Sequence, residues 1–329
     1  MDDESTPATP DRSPSGAAYH AARLEELGSD ARRYVDQSRA HNTRRAYRSD
    51  WADFTEWCER FRRTRLPASP DTVAYYLADR SQDLKPSTLE RRLAAVAEAH
   101  RTAGFPSPNS SAQVQLVWAG IRREKGVAQA HKKPALTKLI RLMTSHLPTT
   151  LLGVRDRALI LLGYSGAMRR SELVGLEVTD IALADEGLVV MIRKSKTDQI
   201  GAGRKLGIPF GAHLETCPVR AVQKWLEESM IDSGPLFRSV NKHGDVQDTR
   251  LSDKAVANVV KRSLEAAGKN SRGYAAHSLR AGLITQAAMC GVSERAIQDQ
   301  SGHKSLLVMR RYIRDGSLFR ENAAAKVGL

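Results

Sequence analysis

Residues 187–209 read GLVVMIRKSKTDQIGAGRKLGIP, and this stretch decides the fold class. Gly187 to Arg193 is short, apolar and β-branched, as a strand requires. Lys194 to Arg204 is polar and basic and holds two glycines. Lys205 to Pro209 then returns as a second strand. The pattern predicts a hairpin with a long basic tip, a single β interruption in a chain that is otherwise helical. Apolar helical stretches precede it at 156–163 and 171–176. Helices are expected after it at 218–230, 252–267, 278–290 and 293–300, with a last amphipathic stretch near 317–327. Residues 135–329 therefore read as a mixed α/β domain, mostly helical around a small antiparallel sheet.

The chain before the hairpin divides further. Residues 1–18 are rich in Ser, Thr, Pro and Asp, and read as a disordered tail. Residues 19–125 are helical in period: Tyr47, Trp51, Phe54, Cys58 and Phe61 share a face at spacings of three and four. Ser69-Pro70-Asp71 is an N-cap with Pro at the first helical position. Leu89, Leu93, Val96 and His100 repeat the pattern until Gly104. This predicts a small all-helical domain, followed by a linker over 126–134. No internal repeat is seen.

The 329 residues hold 51 Lys and Arg against 37 Asp and Glu, a net charge of +14, which excludes an acidic solvating chain and favours a polyanionic partner. Three basic clusters lie on successive helices: Thr43, Arg44, Arg45 and Arg48; Arg91 and Arg92; Arg122 and Arg123. Lys132 and Lys133 in the linker, and Lys194 and Arg204 on the hairpin, extend the set. One such cluster is explained by solubility alone; several together point to phosphate contacts. The basic residues do not gather beside one apolar face, which disfavours a membrane surface. The longest apolar run is far short of the roughly 20 residues that span a bilayer. The acidic N-terminus is unlike a signal peptide, so a cytoplasmic protein is expected. Three scattered cysteines, without a CxxC pair, indicate neither a disulfide framework nor a zinc site.

Four features in the second domain carry chemistry: Gly166-Ala-Met-Arg169-Arg-Ser-Glu172-Leu173; Arg193-Lys-Ser-Lys196-Thr197; His277-Ser-Leu-Arg280; and Gly302-His303-Lys304-Ser305 followed by Tyr312. Each alone has a plain structural explanation. Arg169 pairs with Glu172 a turn away, Lys196 is solvated, His277 caps a helix, and Tyr312 packs. Together they match one task. Cutting a phosphodiester without a metal needs a nucleophile, cationic donors for the non-bridging oxygens, and an acid for the leaving 5′ oxygen. Arginines supply planar forks for the phosphate, and a lysine on a hairpin supplies a proton.

The order Arg … Lys … His-x-x-Arg … Gly-His … Tyr resembles the tyrosine recombinase (phage integrase) family over about residues 37–329. The resemblance implies Arg169, Glu172, Lys196, His277, Arg280, His303 and Tyr312 as the catalytic set. Arg169 is preferred to Arg170 because the family's acidic residue follows its arginine by three. Cys217-Pro218-Val219-Arg220 and Pro235-Leu236-Phe237 also look like the family's catalytic domain, and the N-terminal helices resemble its core-binding domain. The two domains would form a C-shaped clamp on DNA.

The chemistry implied is site-specific recombination of duplex DNA. Tyr312 forms a 3′-phosphotyrosyl link, Arg169 and Arg280 stabilise the transition state, and His303 adds a hydrogen bond. His277 assists proton movement, Lys196 protonates the leaving oxygen, and Glu172 orients the shell. No ATP, cofactor or metal is called for. Strand exchange through a Holliday junction implies four protomers on two inverted-repeat sites, from a chain monomeric in solution, with accessory proteins an open matter. The segment 317–329, with Leu318, Phe319, Ala323, Ala324, Val327 and Leu329, is expected to form a tail helix docking on a neighbouring protomer. Two other readings stand beside this one. A non-catalytic DNA-binding regulator of the same fold would form no covalent adduct. A type IB topoisomerase or telomere resolvase shares the chemistry, and site-independent relaxation of supercoils would mark the topoisomerase.

Overall fold

The computed structural model describes residues 16–37, 41–126, 132–193, 195, 203–317 and 327. The chain forms two compact units, Met1–Gln129 and Ala130–Leu329.

The first unit holds α1 (Gly16–Gln37), α2 (His41–Arg60), α3 (Pro70–Ser81), α4 (Pro86–Thr102) and α5 (Ala112–Lys125). Helix α1 starts three residues inside the stretch read as a disordered tail, so 16–18 are helical; the rest of that tail is outside the described residues. Ser69 caps α3, its hydroxyl accepting from the Thr72 N–H at 3.2 Å with Pro70 in the first turn. Ser111 caps α5 in the same way. Phe54, Trp57, Cys58, Tyr76, Leu77, Leu89, Val96 and Val114 close the core. Phe61 departs from its expected face. Helix α2 ends at Arg60, and Phe61 is half exposed with its ring against Trp57. His100 is fully buried yet satisfied: Nε2 accepts from the Ala68 N–H and Nδ1 donates to the Val96 carbonyl, both at 2.8 Å.

Two of the basic clusters differ in kind. Arg45 and Arg48 on α2, with Arg122 and Arg123 on the last turn of α5, are exposed, while Thr43 and Arg44 are half-buried. Arg91 and Arg92, expected to face phosphate, turn to carboxylates. Arg91 grips Asp50 through two bonds of 2.7 and 2.9 Å. Arg92 donates to Asp53 at 2.5 Å and retains only 13% of its side-chain exposure. Asp53 also accepts from the Tyr76 hydroxyl and from Arg80. A partly buried carboxylate with three donors braces α2 against α3 and α4. Asp53→Ala strands those donors, at about 1–3 kcal/mol for the desolvated groups left unpaired. Its urea midpoint in the first unit should fall accordingly. Fluorescence follows that unit, because three of the four tryptophans lie there.

The second unit runs α6 (Thr137–Ser145), α7 (Leu151–Ser165), α8 (Arg170–Gly175), β1 (Ile181–Ala184), β2 (Gly187–Ile192), β3 (Arg204–Pro209), α9 (Pro218–Ser229), β4 (Arg238–Val240), β5 (Val246–Arg250), α10 (Asp253–Ala266), α11 (His277–Met289), α12 (Glu294–Ser301) and α13 (Leu306–Ser317). The second half of helix α7 is apolar on all sides because neighbours surround it. Ala158 to Leu162 are at most 3% exposed. The hairpin read from sequence is present, with Val190 opposite Leu206 and Ile192 opposite Arg204. Leu188, Val190, Ile192, Leu206 and Ile208 face the core. Strand β1 adds an edge that sequence missed: its residues are mostly exposed, so no alternation marks it. The short, polar β4–β5 pair was missed for the same reason.

Helix α13 was also not anticipated. Its inward residues, Met309, Tyr312 and Ile313, pack with Ile284, Ala288 and Ile297 in a small core apart from the main one. Gly282 lets the chain entering this unit lie on α11, since a Cβ there would stand 2.0 Å from the Ala135 carbonyl oxygen. Among the described residues no helix is long and apolar enough to cross a membrane.

Candidate active site

The site is built where α8, α11, α12 and α13 approach one another. Arg169 is the N-cap of α8. Its backbone N–H donates to Glu172 Oε2 at 2.9 Å, and its guanidinium donates to Oε1 at 2.5 Å. Glu172 is wholly buried, so its orientation is set by this double grip. The neighbouring Arg170 instead turns outward to Asp253 on α10 at 3.2 Å. Geometry thus separates two adjacent arginines that sequence alone left ambiguous.

Arg280, in the first turn of α11, is 1% exposed. Its Nη1 donates to the carbonyls of Ala167 and Ser301, each at 2.6 Å. Ala167 sits at φ +44°, a left-handed conformation uncommon for a residue with a side chain. Arg280 Nη2 lies 3.1 Å from both ring nitrogens of His303. Ser301 Oγ is 2.8 Å from His303 Nδ1. Burial, with Arg169 close by, lowers the Arg280 guanidinium to about 9, opposed by Glu172. It still holds its proton at neutral pH. Burial and then the charge of Arg280 lower His303 to about 3, so that imidazole is neutral.

Tyr312 is on α13 and His277 opens α11. Separated by 35 residues in the chain, they meet with Tyr312 Oη 2.7 Å from His277 Nε2. The His303 ring centroid is 6.2 Å from that of Tyr312. Of the seven expected site residues, the structure gathers Arg169, Glu172, His277, Arg280, His303 and Tyr312. Lys196 and Lys194 lie outside the described residues. Lys132 and Lys133 are exposed. Arg204, expected to reach DNA from the hairpin, turns inward instead: Nη1 donates to the carbonyls of Asp299 and Gln300 at 3.3 and 3.2 Å. Ser301 and the Ala167 carbonyl were not singled out from sequence. The first carries no catalytic pattern of its own, and the second is backbone.

A phenol against an imidazole, beside two arginines of which one pairs with a buried carboxylate, holds the groups that phosphoryl transfer to a tyrosine requires. On a mostly helical unit with a small antiparallel sheet, it defines a DNA strand-transfer class of protein. Comparison with known proteins agrees. Residues 136–317 match the phage integrase family, and residues 33–103 match the phage integrase N-terminal SAM-like domain. The chain is 40% identical to an integrase/recombinase XerD homologue of Selenomonas ruminantium over 303 residues, covering 91% of this chain and 89% of that one. It is 30% identical to a tyrosine recombinase XerC of Pelobacter propionicus, covering 72% of each. The fold is similar to the Tn1549 transposon integrase in complex with a circular intermediate DNA (TM-score 0.59, 16% identity, 84% of this chain and 90% of that chain). It is also similar to a lambda integrase dimer bound to a core site (TM-score 0.58, 17% identity, 92% and 82%). The chain belongs to the phage integrase family, the tyrosine recombinases.

Proposed function

We propose that this chain is a site-specific DNA recombinase that cuts and rejoins duplex DNA through a phosphotyrosine on Tyr312. The observation that carries the reading is the 2.7 Å contact between Tyr312 Oη and His277 Nε2, beside Arg169 and Arg280. As Tyr312 attacks the scissile phosphorus, its phenolic proton passes to His277. The bond from phosphorus to the 5′ oxygen breaks, and Lys196 gives that oxygen a proton. Arg169 and Arg280 offset the charge that builds on the non-bridging oxygens, and neutral His303 donates a hydrogen bond to them. Glu172 keeps Arg169 aimed. The 5′ hydroxyl of a partner strand then attacks the phosphotyrosine, so phosphodiester number is conserved and no ATP is consumed. Charge compensation comes from the arginines, and the mechanism routes no step through a metal. The substrate is duplex DNA carrying inverted repeats, synapsed by four protomers.

The test is recovery of SDS-resistant protein–DNA adducts. The protein is incubated with DNA fragments from around its own gene, and the linked fragments are sequenced. Adducts should pile up at one inverted-repeat sequence. Specific binding without any adduct, even on nicked substrates that trap the intermediate, would move the reading to a DNA-binding regulator.

Assembly has its own supporting feature. Leu283, Ile284, Ala287, Val292, Ala296 and Ile297 line an apolar groove of about 390 Å³ between α11 and α12, reaching Ser301 of the site. The occupant we assign is the segment after Ser317 of a neighbouring protomer, whose Leu318, Phe319, Ala323 and Ala324 supply apolar side chains. Seating it against the helices that carry Arg280 and His303 would link assembly to catalysis. Removing 317–329 should leave binding to a single site within about threefold and cut recombination at least about tenfold. Ala287→Arg in the groove should reproduce the defect, and unchanged recombination by the truncated chain would refute the assignment.

A further inference from the structure

We propose that Arg204 is a positioning residue for strand cleavage: it clamps the end of α12 so that His303 and Arg280, both held by Ser301, meet the non-bridging oxygens of the phosphate. Arg204 opens β3, at the base of the hairpin, opposite Ile192. Its Nη1 donates to the Asp299 and Gln300 carbonyls in the last turn of α12. The guanidinium lies against Gly302: a Cβ there would stand 2.8 Å from Nε and 3.0 Å from Cζ. Gly302 is also at φ +63°, so this residue is a glycine for two reasons at once. The clamped carbonyls directly precede Ser301, whose own carbonyl accepts from Arg280 and whose hydroxyl is 2.8 Å from His303 Nδ1. The chain from 299 to 303 thus runs from Arg204 to both groups that face the phosphate.

Charge supports the same role. Arg204 Nη2 is buried with no hydrogen-bond partner among the described residues. Burial lowers the affinity of Arg204 for its proton, and Glu172 and Arg169 both act on it. Arg204 in turn weakens proton binding at Arg280 and His303. A clamp on helix carbonyls alone needs no third guanidinium so near the Glu172 carboxylate that Arg169 already pairs with. In this place the excess positive charge is offset when a phosphate arrives. The inference rests on the roles proposed above for Arg280 and His303.

The experiment uses the full-length chain on a nicked duplex carrying the mapped site. Single-turnover adduct formation, DNA Kd and melting temperature are measured for wild type, Arg204→Ala, Arg204→Lys and Arg280→Ala. Arg204→Ala should cleave about 10²-fold more slowly, the effect of one lost or misplaced oxyanion donor, with Kd within about threefold. Arg204→Lys should recover little, because an ammonium cannot lie flat on Gly302 while donating to two carbonyls. A methylphosphonate at the scissile position, which removes the phosphate's negative charge, should narrow the gap to wild type at least about tenfold. A 5′-bridging phosphorothiolate, whose leaving group needs no acid, should leave the gap unchanged. Rescue by the phosphorothiolate alone would overturn the inference and place Arg204 on the Lys196 side of the reaction. Unchanged cleavage would overturn it, as would cleavage, Kd and melting temperature falling together without rescue. If Arg280→Ala cleaves like wild type, the site roles fail; if Arg280→Ala is crippled and Arg204→Ala is normal, the Arg204 inference alone fails.

Discussion

Tyr312→Phe should abolish the SDS-resistant adduct while keeping DNA affinity within about threefold, a loss of cleavage of at least about 10⁴-fold. The effect is large because the hydroxyl is the bond-forming group, so no alignment of the remaining charges replaces it. The substitution is mild in every other respect. The ring packs with Met309 and Ile313 on the Ile284–Ala288–Ile297 cluster, and a phenylalanine keeps those contacts. The lost hydrogen bond to His277 costs about 1 kcal/mol. Melting temperature should therefore move little while chemistry disappears. Adducts from the phenylalanine variant at the same DNA position would show that another group is the nucleophile.

Arg280→Ala should slow single-turnover cleavage about 10³-fold, with a measurable fall in melting temperature. Two consequences of the same fork explain the pair of effects. Its Nη1 ties the Ala167 carbonyl to that of Ser301, so removing it leaves two buried acceptors without that donor. Its Nη2 stands at His303, on the face that receives the phosphate. Arg280→Lys keeps the charge but cannot bind both carbonyls and His303 together. It should recover part of the stability and little of the rate. Equal cleavage by Arg280→Ala and wild type would remove Arg280 from the transition state. Phosphate binding also relieves the repulsion that lowers the affinity of Arg280 for its proton. Burial is the larger cause of that lowering; Arg169 and Arg204 supply the repulsion, and Glu172 and Tyr312 oppose it.

Much of this molecule was legible from residue order. Ser69-Pro70 starts α3, and the β-branched run of 188–192 is β2. Helices α9 to α12 fall within a residue of their expected ends. These elements are announced by caps, by proline in the first turn and by apolar period, all of which act within a few positions. The chemistry-bearing types were legible for a similar reason: phosphoryl transfer to a tyrosine needs particular groups, and their order survives as a linear pattern. Helix α13 carries Tyr312 yet was not expected, because its inward side chains pack on a separate small core. Strand β1 was missed because an exposed edge leaves no alternation to read.

The direction in which each cation points was beyond the sequence. Arg91, Arg92 and Arg204 look the same in a list as Arg45 or Arg123. Yet Arg92 reaches a carboxylate 39 residues away, and Arg204 reaches carbonyls 95 and 96 residues away. Arg169 and Arg170 are adjacent and still serve different partners. Sequence by itself determined the helical class, the hairpin, the basic character and the residues proposed to cut a phosphodiester. Tertiary structure alone decided which arginines enter the site, which brace the fold, and that Tyr312 meets His277. The physical reason is range: caps, turns and periodicity act over a few residues, whereas a long side chain takes its partner from whatever packing brings within hydrogen-bond distance.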